Sequence, residues 1–127
     1  MPYTSAMPQI EKDATVFLKF LNLVRAIDSI HAFPQLDATE EKLLQRLAVS
    51  WGTDKPVTVL ETMGMDADVS PTTVHRRLKS LSKKGVIRLE MDEADNRVKY
   101  VVPTSLANEY FAKLSACMAA AAKGHES

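Results

Sequence analysis

Apolar positions along this chain change period from one stretch to the next, and the changes mark its elements. From Gln9 to about His31 the spacing is helical. Val16, Phe20, Leu23, Ile27 and Ile30 step by four and three, and Phe17, Leu18, Leu21 and Val24 widen the stripe. Seven of the nine residues from Val16 to Val24 are apolar. One core-facing stripe does not need that many, so this helix is expected to meet two neighbours, with another subunit as a candidate for one of them. Phe33-Pro34 ends it. Asp37, with Glu40 three residues on, is an N-terminal capping signal for a helix over about 38–51, with Leu43, Leu44, Leu47 and either Val49 or Trp51 inward. Gly52 to Pro56 reads as a loop, Val57 to Met65 as a short helix, and Asp66-Ala67-Asp68 as a turn.

The next helix is marked at both ends. Ser70 is a strong N-cap residue, Pro71 suits the first helical position, and Gly85 stands where a C-terminal glycine stops a helix. Val74, Leu78 and Leu81 face inward. Thr72, Arg76, Lys79 and Lys83 fall on the opposite face, with Thr73 and Ser80 beside it. The period then becomes two. Ile87, Leu89 and Met91 alternate with Arg88 and Glu90, Asp92 to Asn96 form a polar turn, and Val98, Tyr100 and Val102 alternate with Arg97 and Lys99. This is a β-hairpin that ends at Pro103. Thr104 caps a last helix of about 18 residues with Leu106, Tyr110, Leu114, Cys117 or Met118, and Ala121 on one face. The alanine run from Ala119 to Ala122 would let another helix come close. Residues 1–8 carry two prolines and no period and read as a flexible arm, leaving 9–127 as a single domain.

Charge changes this picture because it is segregated. Residues 1–69 hold six basic and ten acidic residues, residues 70–89 six basic and no acidic, and residues 90–127 four basic and six acidic, so a chain of zero net charge concentrates +6 around one helix. That points to a polyanion approaching one face, against the plainer alternative of a solvated helix surface. With 46% hydrophobic residues the chain can bury a core, yet no stretch approaches the roughly 20 apolar residues of a membrane span. No secretory signal opens the sequence, and its single cysteine excludes an internal disulfide. A cytoplasmic protein with Cys117 reduced is the simplest expectation, Cys117 being a small core residue rather than a redox sensor.

A short helix, a tight turn, a helix with a polar outer face and then a hairpin make a helix-turn-helix with a β-wing. The fold class expected is mainly α with this small wing. The major groove of DNA, about 12 Å wide, admits one helix that keeps an apolar side for its own domain. The hairpin can then lie along the minor groove, where arginine is favoured.

At this point the run "VSPTTVHRRLKSLSKKGVIRLEMDEADNRVKYVVPTSLANEYF" resembles the core of the multiple-antibiotic-resistance regulator (MarR) family of winged-helix transcription factors. "SPTTVHRRLKSLSKKGVI" matches the recognition helix and its exit, "DEADNRVKYV" the wing, "PTSLANEYF" the start of a dimerisation helix, and "LDATEEKLLQRLA" the family's second helix, so the likeness covers about residues 36–111. The Asp-x-Arg of the wing, Asp95 and Arg97, is the sharpest part. The resemblance implies that Arg97 contacts the minor groove and that Asp95 steadies it. It also implies a homodimer built from helices 9–32 and 104–123 around a DNA-binding core 36–102. The chain departs from the family in having room for only one helix after Pro103. That implies a reduced dimer interface and a ligand cleft that is smaller or missing.

The residues expected to contact double-stranded DNA are Ser70, Thr72, Thr73, Arg76, Arg77, Lys79, Ser80, Lys83, Arg88 and Arg97, with Asp95 orienting Arg97. For Lys83, Lys84 and Arg88 simple surface charge is an equal alternative. Arg77 lies nearer the buried edge, where an acid of its own domain could pair with it. The negative Asp92 and Glu93 argue against a deep wing contact. Val16, Phe20, Leu23, Ile27, Leu114 and Met118 are the expected dimer contacts. His31, His75 and His125 are far apart, and with one cysteine they offer no metal spacing. There is no glycine-rich phosphate loop and no paired catalytic set, so neither cofactor nor enzyme activity is expected. The function expected is a sequence-specific DNA-binding transcriptional regulator, with an unidentified small-molecule effector as a further candidate partner. The alternative is a winged-helix protein-interaction module that does not bind DNA, which would show an apolar outer face on its central helix.

Overall fold

A computed structural model describes residues 12–30 and 33–126. The arm 1–8, residues 9–11 and His31 lie outside the described residues, as do the side chains of Ile27, Ile30 and His125. After a 3₁₀ turn, Lys12–Ala14, the elements are α1 (Thr15–Ile30), α2 (Ala38–Trp51), α3 (Val59–Met63), α4 (Pro71–Lys83), β1 (Ile87–Met91), β2 (Lys99–Pro103) and α5 (Ser105–Glu126). The last helix, at 22 residues, is longer than the 18 its sequence suggests. No described helix is long and apolar enough to cross a membrane. Contacts divide the chain into two compact units. One is residues 33–109, and the other joins α1 to the chain from Tyr110 onward.

Capping fixes the helices of the 33–109 unit. Asp37 and Glu40 form a reciprocal capping box at α2, and Thr58 and Glu61 form another at α3. Ser70 caps α4 through the Thr73 N–H, with Pro71 at the first position. At its other end Val86 N–H bonds Leu81 O and Gly85 N–H bonds Ser82 O, each at 3.0 Å. That is a Schellman motif, and Gly85 adopts the positive φ of 78° that it requires. Thr104 Oγ1 donates to Gly85 O at 2.6 Å and accepts from Ala107 N–H at 3.3 Å, so the exit of α4 and the start of α5 are tied by one hydroxyl.

The core of this unit is Leu43, Leu44 and Leu47 from α2, Val57 from the segment before α3, Val74, Leu78 and Leu81 from α4, Val86 and Ile87, Val101 from β2, and Ala107. The α2 and α4 leucines are the ones the helical period selects. Of the two alternatives for the last inward position of α2, Trp51 is the half-buried one, and Val49 points to solvent at 73% exposure, because an α-helix turns it away from the face that Leu43 and Leu47 share. One expectation fails. In the hairpin β1 and β2 pair antiparallel with Ile87 opposite Pro103 and Leu89 opposite Val101. Only Ile87 and Val101 are buried there, so the inward residue of β2 is Val101, between the Tyr100 and Val102 that the alternation picks out. Its backbone explains this. Val101 N–H bonds Val57 O at 2.7 Å, and its carbonyl accepts from Trp51 Nε1 at 2.9 Å. Val57 therefore serves as a third extended segment instead of the start of α3, and half-buried Trp51 acts through its indole N–H.

In the second unit Cys117 and Ala121 of α5 are buried. Phe17, Leu21 and Leu23 of α1 and Met118 of α5 are exposed, while Val16, Phe20 and Leu114 are partly covered.

Candidate nucleic-acid interface

Helix α4 divides its side chains by function. Val74, Leu78 and Leu81 are buried, and Thr72, His75, Arg76, Lys79 and Lys83 are exposed. The exposed set makes no hydrogen bond or ion pair with another described residue, so its three cations are available to a partner. Other residues singled out by the sequence are already engaged. Ser70 and Thr73 bond each other at the cap, Oγ to Oγ1 at 2.9 Å. Ser80 donates to the buried Glu40 at 2.6 Å. Arg77 Nε lies 3.3 Å from Asp37 Oδ2, an ion pair without hydrogen-bond alignment. Lys84 donates to Glu40 at 2.8 Å and to the Gln35 carbonyl at 2.9 Å. Arg88 pairs with Glu90 at 2.7 Å along the same strand.

Burial works to raise the Glu40 pKa, but the Asp37 N–H, the Lys84 ammonium and the Ser80 hydroxyl together hold it below the usual carboxylate value. With the folded value the lower one, this joint stabilises the fold above the unfolded carboxylate pKa. It loses that contribution as pH falls through the folded pKa.

The wing presents Arg97 in a fixed pose. Its Nε and Nη2 donate to Asp95 Oδ1 and Oδ2 at 3.1 and 3.3 Å, and its own N–H donates to Oδ1 at 3.0 Å. The guanidinium side chain is nevertheless 90% exposed. Bonds from the Arg97 side chain and backbone lower the Asp95 pKa, so the clamp is charged at neutral pH. Asp92, which reads from sequence as a mere repulsive charge, shapes the turn. One oxygen accepts from the Ala94 and Asp95 N–H groups, both at 3.0 Å, and the other from Tyr100 Oη at 2.9 Å. The bond to Asp92 in turn raises the Tyr100 pKa.

A cleft of about 480 Å³ is lined by His75 of α4 and by Arg97 and Lys99 of the hairpin, among others. Lys99 is not among the contacts the sequence suggests. A second exposed cation two residues after Arg97, at the start of β2, is the signal that could have found it. Among the described residues no three His, Cys, Asp or Glu side chains gather to hold a metal ion.

No protein-family model matches the chain, and no curated protein matches it by sequence. Solved structures match its fold. The transcriptional regulator Tm0710 from Thermotoga maritima aligns with a TM-score of 0.61 at 18% identity, over 86% of this chain and 68% of that one. A MarR-like transcriptional regulator of the same organism, Tm0816, gives 0.57 at 21% identity over 91% and 81%. The heme sensor protein PefR from Streptococcus agalactiae, in complex with heme, gives 0.56 at 18% identity over 88% and 75%. The helix order, the two-stranded wing and these alignments agree: the chain has the winged-helix fold of the MarR-like transcriptional regulators.

Proposed function

We propose that the protein is a transcriptional regulator that binds double-stranded DNA sequence-specifically as a homodimer, with α4 in the major groove and the wing at the minor groove. One observation carries this reading: Arg76, Lys79 and Lys83 stand exposed and unpaired on one face of α4, while the cations beside them are bound to their own domain. A protein-docking use of α4 would need apolar residues there, and Pro71 is the only one exposed on that helix. Retardation of a random-sequence duplex in a gel, reversed by salt, tests the reading. A chain that retards no duplex at low salt refutes it. A small-molecule effector is proposed only as a class of partner.

The wing supplies a sharper test. Exposed ion pairs add only about 0–1 kcal/mol to folding. Stability is thus a poor explanation for the Asp95–Arg97 clamp, and aiming Arg97 at the minor groove is a better one. Arg97→Ala is expected to weaken DNA binding and leave the melting temperature nearly unchanged. Asp95→Ala removes a negative charge near phosphate, so electrostatics alone predicts tighter binding, whereas loss of the clamp predicts weaker binding. Weaker binding at two salt concentrations is expected. Tighter binding at both would mean that Asp95 does not orient Arg97.

The dimer is proposed to form through α1 and α5. Phe17 is 57% exposed, Leu21 39%, Leu23 37% and Met118 56%, so apolar side chains on both helices are left for a partner to cover. In a two-fold dimer the two α4 helices would meet half-sites about 34 Å apart, one turn of DNA. Leu23→Asp is expected to sediment as a monomer at tens of micromolar where the wild type is a dimer. A monomeric wild type, or a variant that stays dimeric, would refute this interface.

A further inference from the structure

The cap of α2 also holds α4. Within the box, Asp37 Oδ1 accepts from Glu40 N–H at 2.7 Å and Glu40 Oε1 from Asp37 N–H at 2.9 Å. Those bonds complete the local task of a capping box. Both carboxylates then reach further. Glu40 Oε2 accepts from Ser80, Glu40 Oε1 also accepts from Lys84, and Asp37 Oδ2 faces Arg77. The three partners, 77, 80 and the C-cap residue 84, are spaced by three and four, a single stripe along α4 and its cap between the buried leucines and the exposed cations. Glu40 is 1% exposed, so its charge has been taken out of water to make these bonds.

Desolvation offsets much of the attraction in a buried ion pair, so a modest net stabilisation is not its main use, and the best-attested use of such pairs is to fix register. The apolar contacts of Val74, Leu78 and Leu81 are not directional and tolerate a small rotation or slide of α4 on α2. Hydrogen bonds from Ser80, in the last turn of α4, and from Lys84 just after it do not, and the Arg77–Asp37 ion pair adds a charged contact nearer the middle. A binding constellation needs its side chains held within about 0.5 Å and 10–20°. We infer that Asp37 and Glu40 are positioning residues. Through Arg77, Ser80 and Lys84 they set the rotation and register of α4, and hence the aim of Arg76 and Lys79 at base edges. This rests on the DNA-binding reading above.

The test uses Glu40→Gln, which keeps side-chain size and removes the charge, in the full chain at a temperature where wild type and variant are both folded. Two duplexes of equal length are compared: one selected by the wild type from a random pool, and a scrambled version of it. Affinity for the selected duplex is expected to fall roughly tenfold, about the cost of one lost base contact. Affinity for the scrambled duplex is expected to hold within about twofold, since the phosphate-facing cations remain. Lys84→Gln breaks the same link from the other helix at a residue about one-third exposed, and should give the same split if Glu40→Gln does not fold. In the free protein, ¹H–¹⁵N shifts of Glu40→Gln are expected to spread along α4 from residue 76 to 85. A folded variant with an unchanged selected-to-scrambled ratio, or with both affinities lowered equally, overturns the inference. If the wild type binds no duplex, the DNA reading fails by itself. The amide shifts then decide the positioning claim, and an α4 unmoved in Glu40→Gln overturns it.

Discussion

Raising the salt concentration from 50 to 200 mM is expected to weaken binding to duplex DNA by about a thousandfold or more. Each neutralised phosphate releases condensed counterions, and a dimer making roughly 6–10 phosphate contacts loses affinity on that scale. The candidates for those contacts in one protomer are Arg76, Lys79 and Lys83 on α4 and Arg97 and Lys99 on the hairpin, all exposed. Lys83→Ala should lower affinity for every sequence alike and reduce the slope of log affinity against log salt by about one per protomer. Arg76→Ala should instead cost roughly 1–3 kcal/mol of discrimination between sites if its guanidinium pairs with a guanine. Titrating one labelled duplex at four salt concentrations measures the slope. A slope near zero would mean that the basic face does not meet phosphate.

Leu78→Ala is expected to cost about 2–5 kcal/mol of stability. Leu78 is 1% exposed, one turn from Val74 and Leu81 on the inner face of α4. Truncating it removes buried methyl groups and leaves a cavity that a helix capped at both ends cannot easily close. Domains are commonly stable by only about 5–15 kcal/mol, so a loss of this size shifts the urea midpoint far. Val49→Ala, at a 73% exposed site, should stay within about 0.5 kcal/mol. Equal effects of the two substitutions would contradict the burial pattern described here.

The contrast between Leu78 and Val49 also shows where the sequence can be read. Amphipathic period and cap chemistry are local, and they place α2 and α4 almost to the residue, with Ser70, Pro71 and Gly85 as fixed marks. The hairpin is less legible. Its alternation favours Tyr100 and Val102, whereas Val101 is buried because Val57 and Trp51, more than 40 residues earlier, bond its backbone. Within the candidate interface the sequence supplies a list of cations but not which of them are spoken for. Arg77 is set apart by its place near the buried edge, and Asp37 is the acid of its own domain that meets it, but Lys84 and Arg88 look like Arg76 and Lys79 until Glu40 and Glu90 are seen beside them. The Asp95–Arg97 clamp lies at the other extreme. Its partners are two residues apart, so the motif contained its own geometry.

Asp92 makes the hairpin's shape indifferent to much of its tip. With one oxygen closing the turn on two backbone N–H groups and the other anchored to Tyr100, the bend is held without any help from the side chains of Glu93 and Asn96, which are exposed. Those two positions can be randomised in a library while the strands and Arg97 keep their places. Residue 94 is the exception, open to any side chain but closed to proline, whose ring nitrogen would have no hydrogen to give Asp92. With the wing at the minor groove as proposed, such a library would vary the chemistry offered to DNA on a scaffold that does not move, and would turn the wing into a site for retuning operator preference.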